Sequence, residues 1–310
     1  HTYNPVFGPT HNAYRQGLSA GGSSGGAAVA LALRMLPVAD GSDHAGSLRN
    51  PAAFNNVFGM RPGLGRVVDN VDEIFLPRLT VSGPMARSVT DLAALLATQA
   101  ATDPRVPFSV DEDPAGFRRP LDRDMTGLRF GWLGDFDGHL ATEPGILETC
   151  EAAARVFEEL GARVEPVRAD FDMEALFHAW KRLRHWQVGA ALAPLWRGEA
   201  TRALMKSEAV WEVEEGAKLS AFEVTAASAV RSAWFQVVRQ LFERFDFLLL
   251  PAAQVWPFPV EQPWPREIAG RRMDTYHRWM EVVVPVTMSG CPAISVPAGF
   301  GPEGLPMGLQ

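Results

Sequence analysis

Apolar and polar positions along this chain of 310 residues switch between a helical and a strand period several times. The run Ala27-Ala28-Val29-Ala30-Leu31-Ala32-Leu33-Arg34-Met35 predicts a small-residue helix buried nearly all round. Residues 37–41 are too short for a helix and predict a central strand. Residues 47–54 predict a second helix with Ser47 near its first turn, and 57–61 a strand stopped by Pro62. Residues 63–87 carry no clean period. Ser88 then opens a helix as its N-cap, with Asp91 three residues on in a capping-box arrangement. A Pro- and Asp-rich linker covers about 102–126, followed by an alternating strand at 127–133. The next helix, about 143–160, carries Ile146, Cys150, Ala153, Phe157 and Leu160 as one stripe, and Gly161 suits its C-terminal turn. A strand at 162–167 completes a strand–helix–strand unit, the mark of an α/β layer. Residues 171–244 read as mostly helical, 247–251 as a buried strand, about 273–287 as a helix and 293–297 as the last strand. No internal repeat interrupts this order.

Two loops between the first elements carry the unusual chemistry. One is Gly21-Gly22-Ser23-Ser24-Gly25-Gly26, the other Asp43-His44-Ala45-Gly46-Ser47-Leu48-Arg49, and Ser23 and Ser47 stand 24 residues apart. Small residues let a backbone approach a ligand closely, and the first loop ends at a helix N-terminus, where free N–H groups favour negative charge. A phosphate-cradling loop would need a lysine after Gly26, and none follows. A flexible linker fails on context, because an alanine-rich helix follows at once. A serine nucleophile is the third reading; the surroundings of Ser47 do not match the G-x-S-x-G elbow, and no Ser…Asp…His order stands out.

Composition narrows the classes further. Apolar residues make up 47% and charged residues 21%, the balance of a globular protein with a sizeable core. A net charge of −7 leaves no basic footprint, so nucleic acid is not an expected partner. No apolar run approaches the length of a membrane span, so a membrane is not expected either. Cys150 and Cys291 read as a buried helix position and an unpaired thiol, pointing to a reducing, cytoplasmic compartment. Paired Cys/His spacing and HExxH are absent, so no metal is expected. His178 and His185, seven apart on a helix, read as surface or packing residues. The five tryptophans of the helical stretch (Trp180, Trp186, Trp196, Trp211 and Trp234) suit either a core between helices or an aromatic wall around an apolar ligand.

The paired loops at this spacing resemble the amidase signature family, marked by GGSSGG followed by D-x-G-G-S-[IL]-R-x-P-A. Here these are Gly21 to Gly26 and Asp43 to Ala52, continuing into Phe58-Gly59-Met60-Arg61-Pro62 and Gly65-Arg66-Val67. Weaker similarity reaches Asn4 to Gly8 and Gly290 to Gly299. The resemblance implies an α/β fold, a mixed twisted central sheet covered by helices on both faces. It makes 1–310 a single but partial domain, with the catalytic core motif in 17–67 and a mostly helical substrate-pocket region in 171–287. It implies amide-bond hydrolysis through a Ser–cisSer–Lys triad and an acyl-serine intermediate, without a cofactor.

By the resemblance Ser47 is the nucleophile, Ser23 the bridging serine after a cis peptide bond, and Ser24 a supporting residue. The N–H groups of His44, Ala45, Gly46 and Ser47 would form the oxyanion hole, a device worth about 3 kcal/mol per donor. Asp43 and Arg49 would support the loop. Ala45 stands where the family usually has glycine, and His44 is also a departure. The family places its lysine farther upstream of the bridging serine than the 22 residues that precede Ser23 here. Lys181, Lys206 and Lys218 do not match it, so the expectation is a chain cut at both ends, with the lysine outside it. The expected partner is a small amide, held in a pocket that the tryptophans suggest is apolar or aromatic, and a homodimer is compatible. Two alternatives stand beside this: the A-type subunit of a glutamine-dependent amidotransferase, and a non-catalytic binding module. The acidic stretch from Asp69 to Phe75 replaces a serine-rich segment usual in the amidotransferase.

Overall fold

The computed structural model describes residues 2–68, 73–76, 78–301 and 303–310. Most of the acidic stretch that weighs against the amidotransferase reading, Asp69 to Asp72, lies outside the described residues. The chain divides into two compact units, 1–169 with 241–310, and 170–240.

In the first unit a short hairpin of β1 (Tyr3–Asn4) and β2 (Gly8–Pro9) leads to α1 (Gly25–Ala32), β3 (Val38–Asp43) and α2 (Arg49–Asn55). β4 (Phe58–Arg61), β5 (Val81–Ala86) and α3 (Val89–Gln99) follow. Ser88 caps α3, its Oγ accepting the Asp91 N–H at 3.1 Å. Then come β6 (Arg129–Trp132), α4 (Ile146–Glu159) and β7 (Arg163–Pro166), with β7 parallel to β6.

The second unit is all helical, comprising α5 (Met173–Arg197), α6 (Glu199–Arg202), α7 (Ser207–Gly216) and most of α8 (Ala221–Leu241). α5 and α7 approach closely because Gly189 and Gly216 lack side chains; a Cβ on Gly189 would lie 2.9 Å from the Glu212 carbonyl oxygen. Trp180 and Trp234 are fully buried, and Trp234 packs against Phe171 with ring centroids 5.4 Å apart.

Back in the first unit are β8 (Phe247–Leu249), the hairpin β9 (Glu267–Ile268) and β10 (Arg271–Arg272), and a 3-10 helix at Arg278–Val283. α9 (Val284–Ser289), β11 (Ala293–Phe300) and β12 (Pro306–Leu309) end the chain. Regular helix in the 171–287 stretch therefore concentrates before Leu241, with loops and short strands after it.

Two ladders build the sheet. β12, β11, β4, β5 and β3 are neighbours in that order, all antiparallel, while β7, β6 and β8 are parallel. They join where the chain after β8 meets β12: Leu250 and Gln310 exchange backbone bonds of 3.0 and 2.8 Å, and the Ala252 N–H donates to the Gly308 carbonyl at 2.9 Å. The result is a mixed α/β sheet with helices packed against it. Its core gathers Phe54, Phe130, Ile146, Leu249, Trp279 and Met307, with Phe130 stacked between Phe157 and Phe247.

Several expectations need correction. β3 is the edge strand of its ladder, not a central one: it pairs with β5 alone, a strand whose alternation Gly83 and Pro84 interrupt. β4 pairs only with Met85 and Ala86, so Pro84 lies beyond that ladder and its missing N–H leaves no gap there. α1 ends at Ala32 and buries a single stripe, Gly25, Ala28 and Leu31, while Leu33 and Met35 beyond it are exposed. Leu160 is exposed at the end of α4, where the chain turns through Gly161 at φ +96°. β12 follows the strand that the pattern marks as last.

Candidate active site

The site begins where β3 delivers Asp43 to the serine loop. Asp43 is fully buried and faces two buried arginines. Arg49 grips it in a fork, Nε to Oδ2 at 3.0 Å and Nη2 to Oδ1 at 2.9 Å, and Arg61 Nη1 reaches Oδ1 at 3.3 Å. Arg61 Nη1 also donates to the Asp43 carbonyl. The same carboxylate accepts the Gly46 N–H at 2.9 Å and the Leu48 N–H at 3.3 Å. Burial alone would raise the Asp43 pKa, but the charges and hydrogen bonds of Arg49, the charge of Arg61 and the Gly46 N–H together hold it well below the usual carboxylate range. The loop backbone is thereby wrapped around a fixed negative charge.

Arg49 is anchored from the far end of the chain as well. Its Nη1 donates to the Val283 carbonyl at 3.2 Å and to Gln310 Oε1 at 2.7 Å, and its Nη2 to Thr287 Oγ1 at 2.9 Å. The Gln310 carboxamide in turn donates to the carbonyls of Pro251 and Val282 at 2.9 and 3.2 Å. Gly46 packs on the Val283 side chain so tightly that a Cβ would lie 2.7 Å from Val283 Cγ1.

These contacts change the expected oxyanion hole. The Gly46 N–H is committed to Asp43, so it leaves the set of available donors. The N–H groups of Ala45 and Ser47 donate to no described residue. Gly46 carries the positive φ, +79°, whereas Ala45 is not among the described non-glycine residues with positive φ. Alanine is accordingly tolerated at 45, and the glycine requirement falls one residue later. His44 Nδ1 meets Thr80 Oγ1 at 2.7 Å.

The second serine loop lies against the first. The Ser24 N–H donates to the Ser47 carbonyl at 3.2 Å, and the Gly22 N–H to Asn50 Oδ1 at 3.3 Å. The Gly22–Ser23 peptide bond is cis. Thr2 Oγ1 ties the loop down through the carbonyls of Gly21 and Ser23 at 3.0 and 3.1 Å, and accepts the Gly25 N–H at 3.2 Å. Ser24 stands at the N-cap of α1 without a side-chain cap bond, and its Oγ lies against Gly41. Among the described residues no hydrogen bond joins the Ser23 and Ser47 hydroxyls. Bonds of that kind often tighten only when substrate is bound.

No lysine lies in the unit that carries these loops. Lys181 sits over the Phe177 ring, Lys218 pairs with Glu215 at 2.6 Å, and Lys206 stands at the N-terminus of α7 with its pKa lowered by partial burial. His178 pairs with Glu174 on the helix surface, while buried His185 meets Glu212 at 2.6 Å. Both cysteines are free thiols, and burial pushes Cys150 up to about 12. Thr2, Asn50, Arg61, Val283 and Gln310 were not singled out as site residues from the sequence. Arg61 and Asn50 stood within the quoted motifs; the others contact the loops only through the fold.

The model of the amidase family matches residues 1–310. The chain belongs to the amidase signature family. An acylamidase of Rhodococcus erythropolis is 32% identical to this amidase-family chain over all of it and 64% of the relative. The A-type subunit of the glutamyl-tRNA(Gln) amidotransferase of Thermus thermophilus is 33% identical, over all of the chain and 67% of the relative. Among solved structures, a bacterial aryl acylamidase belonging to the amidase signature enzymes superposes with a TM-score of 0.89 at 31% identity, covering 99% of this chain and 65% of that one. The family member described here thus spans about two thirds of the length of these relatives.

Proposed function

We propose that this chain carries the nucleophile and relay of an amide hydrolase that works through an acyl-serine. The carrying observation is the apposition of the two serine loops, clamped by the Ser24 N–H to the Ser47 carbonyl at 3.2 Å, beside a loop backbone held by buried Asp43. Ser47 Oγ attacks the amide carbon while its proton passes to Ser23, whose own proton passes to a base. A serine hydroxyl is a weak nucleophile and needs that base. The family resemblance implies a neutral lysine as that base, and the serine-bearing unit contains no lysine of its own. The negative charge on the tetrahedral intermediate meets the N–H groups of Ala45 and Ser47, and the C–N bond breaks as the relayed proton reaches the leaving amine. Water then cleaves the Ser47 ester by the same relay.

The acyl group is apolar or aromatic in this reading; the kinship to an acylamidase and an aryl acylamidase supports the cleavage of an amide bond. A fluorophosphonate probe is expected to label Ser47 of the full-length protein, and Ser47→Ala to abolish both labelling and turnover of an anilide panel. Persistent labelling or turnover in Ser47→Ala would reject the assignment.

A second reading, the A-type subunit of a glutamine-dependent amidotransferase, is favoured by the 33% identity to the Thermus protein. Glutaminase activity that appears only with partner subunits would select it. Full-length protein that neither labels nor turns over amides would point to a binding module instead.

A further inference from the structure

We infer that Asn50 is a positioning residue that sets the register between the nucleophile loop and the relay loop; the inference rests on the amide-hydrolase reading for its catalytic meaning. Asn50 lies in the first turn of α2, three residues after Ser47, and is 3% exposed. It touches both loops at once. Its backbone N–H donates to the Gly46 carbonyl at 2.7 Å, and its side-chain Oδ1 accepts the Gly22 N–H at 3.3 Å. Gly22 immediately precedes Ser23, so this bond holds the peptide that presents the relay hydroxyl.

The surroundings are shaped to let Asn50 reach it. Gly21 has φ +74°, and a Cβ there would stand 2.5 Å from Asn50 Oδ1 and 3.0 Å from Pro51 Cα. Glycine at 21 is thus required both by its backbone conformation and by the approach of the asparagine. The only other direct bond between the loops among the described residues runs from the Ser24 N–H to the Ser47 carbonyl. The two bonds flank Ser23 on either side, one at the residue before it and one at the residue after. Two attachments fix an orientation where one would leave a pivot. Since a proton relay depends on sub-ångström placement of two hydroxyls, loss of one attachment weakens transfer far more than substrate binding.

The Oδ1 acceptor is what matters in this account, so aspartate preserves the function and leucine, similar in size but without an acceptor, does not. The test compares Asn50→Asp and Asn50→Leu with wild type in the full-length protein, by kcat and KM on an anilide, by the rate of fluorophosphonate labelling of Ser47, and by hydrogen exchange of the 21–24 segment. Asn50→Leu is expected to lose kcat and labelling on the order of 100-fold, with KM within about twofold, and to exchange faster at 21–24. Asn50→Asp is expected to recover most of both rates and the slow exchange. Wild-type exchange at 21–24 in a folded Asn50→Leu, or equal losses in the Asp and Leu variants, would overturn the inference. If wild-type protein fails to label, the nucleophile assignment falls, while the exchange comparison still decides whether Asn50 holds the loops together.

Discussion

Asp43 concentrates the electrostatics of the site in one carboxylate. It is fully buried between Arg49 and Arg61 and also accepts two loop N–H groups. Removing its charge would strand two buried guanidinium groups, so Asp43→Asn is expected to cost about 3–5 kcal/mol, read from urea unfolding. The sign of the pH effect follows from the depressed pKa. An acid whose folded value lies below its unfolded value stabilises the fold above the unfolded value, 3.8, and loses that contribution as pH falls further. Acid unfolding of the wild type should therefore steepen below about pH 4, and Asp43→Asn should flatten that limb. An unchanged acid limb would mean that Asp43 is not held as its contacts imply. The loop motif was legible in the residues themselves. The engagement of the Gly46 N–H is a short-range Asp contact three residues long; what the residues did not show was that Arg49 and Arg61 would bury the carboxylate that makes it.

At the scale of elements, the serine loop is a joint between β3, α2 and the segment around Val283. Gly46 serves that joint twice, by a positive φ and by its closeness to Val283. Gly138 offers a control: its φ is +80°, with no atom within 4 Å of where a Cβ would stand. Gly138→Ala is expected to cost only backbone strain, roughly 1–3 kcal/mol, and Gly46→Ala distinctly more. Equal losses in thermal or urea unfolding would remove Val283 as the reason for glycine at 46. The helices were the easiest elements to read, since α3 and α4 have a cap or stripe written in adjacent turns. β5 was not readable, because Gly83 and Pro84 suppress the alternation that marks a strand, and only its neighbours β3 and β4 make it one.

At the scale of the whole molecule, the sheet brings the chain's last residues to its first loops. Gln310 pairs with Leu250, and its side chain reaches Arg49. Cys150 is sealed in the same core, and burial holds its thiol up at about 12. Thiol titration of the native protein at pH 8 should accordingly report Cys291 alone, with Cys150 appearing only on unfolding. Two fast thiols would contradict the packing of α4 against the sheet. Among the described residues, no helix is long and apolar enough to cross a membrane.

What the sequence determined by itself was the local chemistry: two small-residue serine loops, their spacing, the family they mark and the helices with clear periods. Those features depend on residues within a few turns of one another. The tertiary structure alone decided that Asn50 and Thr2 hold the Gly21–Gly26 loop, and that Val283 and Gln310 brace Arg49. Each of those contacts joins residues whose meeting depends on how loops and strands fold back on one another, and for Gln310 on its backbone pairing with Leu250. Hydrophobic period and motif spacing carry no record of that closure.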